Sequence, residues 1–283
     1  MPDATAPSAS LPGPSRPPDA KASPRFAHDL GALGIDLFVS GRELALVFVR
    51  TLYFLFRGRR DRGAVVRQMY AIGVESLFFV SITMGFIGMI LVYQSGLQIH
   101  RLVPDYSQLG ATYLELLVRD LAASIGALIL ATRVGAGIAA EIGSMVVTEQ
   151  VDALRMCAAD PIDFLIVPRF AASIVMCTAL IVCAGAVAFA TGAVTAQVAF
   201  DVPMQTFFSG RLIGWGHVIT GLTKCLAYGA AIPIVSGYCG LSTFGGSEGV
   251  GWATTRAVVN SSLAIIVLDA LISTASLLIF GTG

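Results

Sequence analysis

The sequence predicts an all-α integral membrane protein, with an N-terminal interfacial amphipathic helix, five transmembrane helices and a short cytoplasmic helix between the second and third spans. Three observations carry that prediction. Of 283 residues, 55% are hydrophobic and 13% charged, with a mean hydropathy of +0.79; soluble domains carry about 25% charge. Three stretches lack Asp, Glu, Lys and Arg altogether: Leu77 to Ile99, Phe170 to Phe200 and Cys225 to Ser247, of 23, 31 and 23 residues. A helix needs about 20 apolar residues to cross the hydrocarbon of a bilayer. The third observation is that Lys and Arg gather on one side of the first stretch. The 18 basic and 18 acidic residues cancel, so no nucleic-acid partner is expected.

In chain order, residues 1–25 come first. The first 24 residues hold seven of the twelve prolines, with no apolar core between them, which reads as a disordered tail and not as a signal peptide. Over 26–62, Leu30, Leu33, Leu37, Leu44, Val47 and Leu55 recur at helical spacing among Asp29, Asp36, Arg42, Glu43 and Arg50, a pattern that fits a helix lying along the interface. A sixth span through Leu44 to Phe56 would be too short and would place Arg50 at its centre.

Five spans are expected at about 70–98, 111–140, 164–198, 213–240 and 255–280 within a domain over 63–283. The second is interrupted by Glu115, Arg119, Asp120 and Arg133, the last by Asp269. Arg50, Arg57, Arg59, Arg60, Arg62 and Arg67 precede the first span and only Arg101 follows it. The N-terminus is therefore expected in the cytoplasm and, after an odd number of spans, the C-terminus in the periplasm. The five cysteines show no CxxC spacing and read as apolar packing residues. No histidine or cysteine pattern suggests a metal.

Between spans two and three, Val147, Val151, Leu154 and Ala158 make one helical stripe over about 148–158. Thr148 is the candidate cap, Glu149 and Asp152 sit in the first turn, and Asp160-Pro161 is the stop. Periodicity leaves two readings open: a connector with its apolar side on the bilayer, or a helix that docks on a soluble partner.

The run Arg133-Val-Gly-Ala-Gly-Ile-Ala-Ala-Glu-Ile-Gly-Ser-Met-Val-Val-Thr-Glu-Gln-Val-Asp-Ala-Leu154, followed by Asp160-Pro161 and Val167-Pro168-Arg169, closely resembles the signature of the MlaE (YrbE) family, the permease subunits of bacterial ABC lipid transporters. Gly245-Gly-Ser-Glu-Gly-Val-Gly251 and Ala253-Thr-Thr-Arg-Ala-Val-Val259 resemble that family's motif before its last span. The resemblance spans roughly residues 65 to 280. It implies a homodimer in the bacterial inner membrane, with a coupling helix whose Thr148, Glu149, Gln150, Asp152, Ala153, Leu154 and Arg155 face a separate cytoplasmic ABC ATPase dimer. It further implies a periplasmic ring of MCE-domain proteins, a small STAS-type accessory subunit, and phospholipid or a related lipid as cargo, in service of lipid asymmetry. The chain has only two lysines, Lys21 and Lys224, neither after a GxxxxG loop. It therefore has no Walker A site, is not expected to be an enzyme, and carries no cofactor of its own; ATP and magnesium belong to the partner.

Charges within spans are costly and mark candidate sites. Arg119 and Asp120 lie about eight residues from the outer end of their span, Lys224 about ten and Asp269 about a dozen, depths that agree within ~6 Å. These four are the candidate polar zone for a lipid headgroup, with Arg119 and Lys224 taking the phosphate. The alternative is internal pairing, Glu115 with Arg119 and Lys224 with Asp120 or Asp269. The family carries an Arg-Glu pair where this sequence has Arg119-Asp120, one methylene shorter. Leu77, Phe78, Met84, Ile87 and Leu91 on span one are the candidate apolar wall for acyl chains. Gly135, Ala136, Ala139, Ala140 and Gly143 are small packing residues.

Other functions fit less well. Gly245-Gly-Ser247-Glu-Gly249 matches G-x-S-x-G, but all three histidines precede it and the motif needs a strand-turn-helix setting. No HExxH occurs. An ATPase-independent channel or secondary transporter would use the intramembrane charges as a relay, but it would have no need of the cytoplasmic helix.

Overall fold

The computed structural model describes residues 41–55, 62–102, 109–208 and 214–280. The expected tail over 1–25 and residues 26–40 of the interfacial region lie outside the described residues. The chain divides into two units, Met1–Arg42 and Glu43–Gly283, and nearly all described residues belong to the second.

Among the described residues the regular structure is helical throughout. Helix α1 covers residues 41–55, and α2 is Arg62–Leu102. Next come α3, Leu109–Val147, the short α4, Gln150–Met156, and α5, Ile162–Phe200. The one-turn α6, Met204–Phe207, precedes α7, Trp215–Leu241, and α8, Gly246–Phe280. Helices α2, α3, α5, α7 and α8 are each long and apolar enough to cross a membrane, so the protein is a multi-pass membrane protein. They run past the expected hydropathy bounds, α8 from Gly246 instead of 255 and α3 on to Val147. Hydropathy registers only the part inside hydrocarbon, whereas backbone hydrogen bonding carries a helix on through charged turns such as Arg62 to Arg67.

Alternation of direction gives the bundle two ends. One, here the connector end, carries α4 and the turn between α7 and α8; the other carries α6 and the start of α7. Helix α2 packs chiefly on α5, and α8 on α7 and on the second half of α3. A cross-helix bond ties the first pair, Thr191 Oγ1 donating to Gly85 O at 2.9 Å. Met84, Leu130, Ile142, Ile181, Tyr228 and Ile232 fill the shared core and are almost wholly buried. At the far end, Tyr113, Phe189, Phe207 and Phe208 stack with centroids 5.0 to 6.3 Å apart, sealing the base of α6.

Helix α1 meets the bundle at the connector end. Leu44 packs against the buried cluster of Ala139, Val235, Cys239 and Ala257, Phe48 meets Phe170 edge-on at 6.4 Å, and Tyr238 Oη donates to Glu43 Oε2 at 2.5 Å. Its described length, residues 41–55, reaches about 22 Å, short of the ~30 Å of hydrocarbon.

The turn between α7 and α8 needs its glycines: Gly245 and Gly246 have φ of 85° and 79°, the left-handed region that side chains with a Cβ avoid. Ser247 follows inside the first turn of α8, with helices on both sides, so the strand-turn-helix setting of a serine nucleophile is absent there.

Candidate functional site: a paired charge layer and an exposed connector helix

Helix α3 is continuous but contains two π-turns, Leu117–Leu121 and Ala131–Gly135. Each adds a residue to one turn and is a frequent mark of functional positions. The first holds Arg119 and Asp120. Opposite it, α7 comes unusually close: a Cβ on Gly221 would lie 2.2 Å from the Val118 carbonyl oxygen. That approach brings Lys224, one turn further along α7, up to Asp120.

The structure brings the four expected charges together. Arg119 Nε lies 3.5 Å from Asp120 Oδ2, Lys224 Nζ donates to Asp120 Oδ1, and Lys224 Nζ is 2.7 Å from Asp269 Oδ1. Asp269 Oδ1 also accepts from Ser124 Oγ at 2.8 Å and from Tyr228 Oη at 2.6 Å. Lys224 is fully buried, while the Arg119, Asp120 and Asp269 side chains keep 32%, 36% and 34% of their surface. Two carboxylates flanking one desolvated ammonium satisfy the rule that buried charge must be paired.

Three expectations need correction. Lys224, expected either to take a phosphate with Arg119 or to pair with Asp120 or Asp269, is held by both carboxylates, and its side chain has no exposed surface. The Arg119 guanidinium has unspent donors on an exposed side chain in this layer, its terminal nitrogens having no partner among the described residues. Glu115 does not pair with Arg119; it lies 3.7 Å from His217 Nε2, because the π-turn between them shifts the i, i+4 register.

The third correction concerns the apolar wall. Leu77 and Phe78 point outward, 45% and 77% exposed, and Met84 is buried in the core. Ile87 and Leu91 are half-buried against that core. Two of the five thus face away from the protein and one into its core, because an apolar run reads the same whether it faces lipid or a neighbouring helix. An apolar cavity of about 380 Å³ lies instead between α3, α5 and α7, lined by Leu114, Val118, Ile181, Phe189 and Leu222 among others.

At the connector end, Thr148 does not cap α4. It ends α3, its Oγ1 donating to Ser144 O at 2.9 Å, and Glu149 turns the chain with φ of 60°. Asp160 is not a stop: α4 ends at Met156, and Asp160 Oδ1 accepts from Ile162 N at 2.9 Å, capping the next helix. Of the expected stripe, Val151 is buried and Leu154 half-buried, while Val147 and Ala158 are exposed. Thr148, Glu149, Gln150, Asp152, Ala153 and Arg155 all face outward, Asp152 and Arg155 paired at 2.9 Å with about two-thirds of each side chain exposed.

Sequence reasoning passed over Ser124 and Tyr228, although each lies four residues beyond a charge, Asp120 and Lys224, on the same helix face. It also missed that Glu141 and Arg169, both within the quoted motifs, form an ion pair at 2.7 Å.

Comparison with known proteins agrees with this architecture. The family described as Permease MlaE matches residues 65–275. The chain belongs to the MlaE permease family. A probable ABC transporter permease protein of Synechocystis is 37% identical over 252 residues, covering 86% of this chain and 92% of its own. The intermembrane phospholipid transport system permease protein MlaE of Haemophilus influenzae is 30% identical over 264 residues, 91% of this chain and 98% of its own. The chloroplastic protein TRIGALACTOSYLDIACYLGLYCEROL 1 of Arabidopsis thaliana is 29% identical over 235 residues, 82% and 67% of the two chains. Within this MlaE-family permease, the charge layer and the outward face of α4 are two places where side chains depart from simple packing.

Proposed function

We propose that this permease is the membrane subunit of an ABC transporter that moves phospholipid or a related lipid between the bacterial inner membrane and the periplasm or outer membrane. A separate ATPase drives it through α4. The observation that carries the reading is α4 itself. Seven residues stand at one end of the bundle with Val151 alone buried, and the exposed Asp152 and Arg155 of α4 give a soluble partner an acidic and a basic group to meet. The relatives' names support transporter assembly, and that of the Haemophilus protein supports phospholipid as cargo. The missing Walker A loop assigns ATP and magnesium to the partner.

In this reading the connector end is cytoplasmic, the N-terminus lies on that side and the C-terminus lies in the periplasm. The working unit is a homodimer with an ATPase dimer, an MCE-domain ring and a STAS-type accessory subunit. Arg119, whose guanidinium keeps free donors on an exposed side chain, meets the lipid phosphate; Asp120, Lys224 and Asp269 hold it in place. An ATPase-independent relay is disfavoured because Lys224 engages both carboxylates, leaving neither as a free proton carrier.

Purification of the tagged chain from its host in mild detergent tests this reading. A stoichiometric nucleotide-hydrolysing subunit is expected, lost on Asp152→Arg while the permease stays in the membrane. Retention of the ATPase by both Asp152→Arg and Glu149→Arg, or its absence from the native chain, overturns it.

A further inference from the structure

A second site lies at the connector end, far from the charge layer. A cavity of about 580 Å³ is bounded by the last turn of α1, the first turns of α2, the end of α3 and the opening of α5. That is the size of a small-molecule site. Its apolar side includes Phe54, Val65 and Phe164; its polar side is Arg67, Gln68, Glu141, Asp163 and Arg169. Glu141 is 22 residues from Arg119, about 33 Å along α3.

Two features show unspent binding capacity. Arg169 is 3% exposed. Its Nη2 pairs with Glu141 at 2.7 Å and its Nη1 donates to Leu165 O at 2.6 Å, but its buried Nε has no partner. A buried N–H left unmade is costly, and here it belongs to a cation whose residue lines the cavity. Arg67 is exposed and forms no ion pair or hydrogen bond among the described residues. Asp163 also lines the cavity; among the described residues it has no cation within ion-pair distance, and the charge beside it is that of Asp160. The π-turn Ile162–Ile166 that opens α5 presents Asp163, and at its far side Leu165 O receives Arg169.

Depth identifies the layer. Helices α2 and α5 have membrane-capable stretches of 37 and 39 residues, about 56–58 Å of helix, longer than the ~40–45 Å of a bilayer including its headgroups. Centred in the bilayer, each overhangs it by about 6–9 Å at either end, so Arg67 and Arg169, about 6 and 10 Å from the starts of these stretches, stand near the headgroup level, where phosphates and ammonium groups are found.

We propose that this cavity binds the headgroup of one zwitterionic glycerophospholipid from the leaflet at the connector end. The phosphodiester lies on Arg67 with the Arg169 guanidinium charge behind it, the primary ammonium faces Asp163 and Glu141, and the first methylenes lie against Phe54, Val65 and Phe164. Two cations and two carboxylates make the lining neutral, which favours a zwitterion over an anionic lipid. The proposal shares the lipid class of the transport reading and nothing else with it.

The test uses the full chain in nanodiscs carrying phosphatidylethanolamine with a photoreactive diazirine near the glycerol, and maps cross-linked peptides by mass spectrometry. Cross-links are expected at the peptides holding Val65 and Phe164. They fall at least about fivefold in Arg67→Gln, a charged contact discounted for its exposure. Unlabelled phosphatidylethanolamine displaces them, whereas phosphatidylglycerol and inorganic phosphate do not; in Asp163→Asn, phosphatidylglycerol becomes the better competitor. Equal cross-linking in Arg67→Gln and the native chain, or equal displacement by phosphatidylglycerol, overturns the proposal, and displacement by inorganic phosphate assigns the site to free phosphate instead. Cross-links near Arg119 are scored separately, so loss of the transport reading and loss of this site are distinguishable.

Discussion

Lys224 is the residue on which the charge layer depends. Its ammonium is fully buried and reaches one carboxylate on α3 and one on α8. Replacing it by Met leaves two carboxylates facing each other without a cation. Breaking a buried pair in this way costs about 3–5 kcal/mol, and the lower end is expected because both carboxylates keep about a third of their surface. Lys224→Met should therefore lower the unfolding midpoint in detergent, and adding Asp120→Asn and Asp269→Asn should recover most of the loss. A triple variant no better than the single one would show that packing, not charge, is what Lys224 supplies. The residue types of this layer and its common depth were legible in the sequence. Which cation is enclosed and which is free was not, since that depends on how closely α7 approaches α3.

That approach belongs to the scale of elements. At Gly221 a Cβ would stand 2.2 Å from the Val118 carbonyl, a backbone atom that cannot step aside, so Gly221→Ala forces α7 off the π-turn. Overpacking of this kind costs about 1–3 kcal/mol. Gly251→Ala is the contrast: nothing lies within 4 Å of its Cβ position, and alanine is favoured over glycine by about 0.5–1 kcal/mol inside a helix. Thermal unfolding of the two variants should move in opposite directions; shifts of the same sign would contradict the close contact. The five spans were legible because length and apolarity are additive along a chain. The π-turns were not, because Leu117-Val-Arg-Asp-Leu121 has no composition that sets it apart from an α-turn. Thr148 illustrates the same limit, since a threonine between two helices can end the first or start the second, and only the left-handed Glu149 after it decides.

For the whole molecule, the proposed orientation predicts where its thiols meet water. Cys157 is exposed just beyond α4, Cys183 is exposed along the middle of α5 where lipid would cover it, and Cys177, Cys225 and Cys239 are buried. Thiols react as thiolates, which form readily only in contact with water. A membrane-impermeant maleimide should label one site, Cys157, in inverted inner-membrane vesicles and none in intact spheroplasts. Labelling in spheroplasts would reverse the orientation, and an ATPase seated on α4 should slow the reaction.

The neutrality of the charge layer sets the terms on which the spans can move. Arg119 and Lys224 together with Asp120 and Asp269 sum to zero, and Arg133 is matched by Glu75 at 3.4 Å. Moving one net charge through the full membrane potential would exchange about 2.3 kcal/mol per 100 mV. A shift of these helices that keeps the layer intact displaces cation and carboxylate together and exchanges almost none. The charge layer itself is therefore built to move at nearly the same energetic cost in an energised membrane as in a depolarised one.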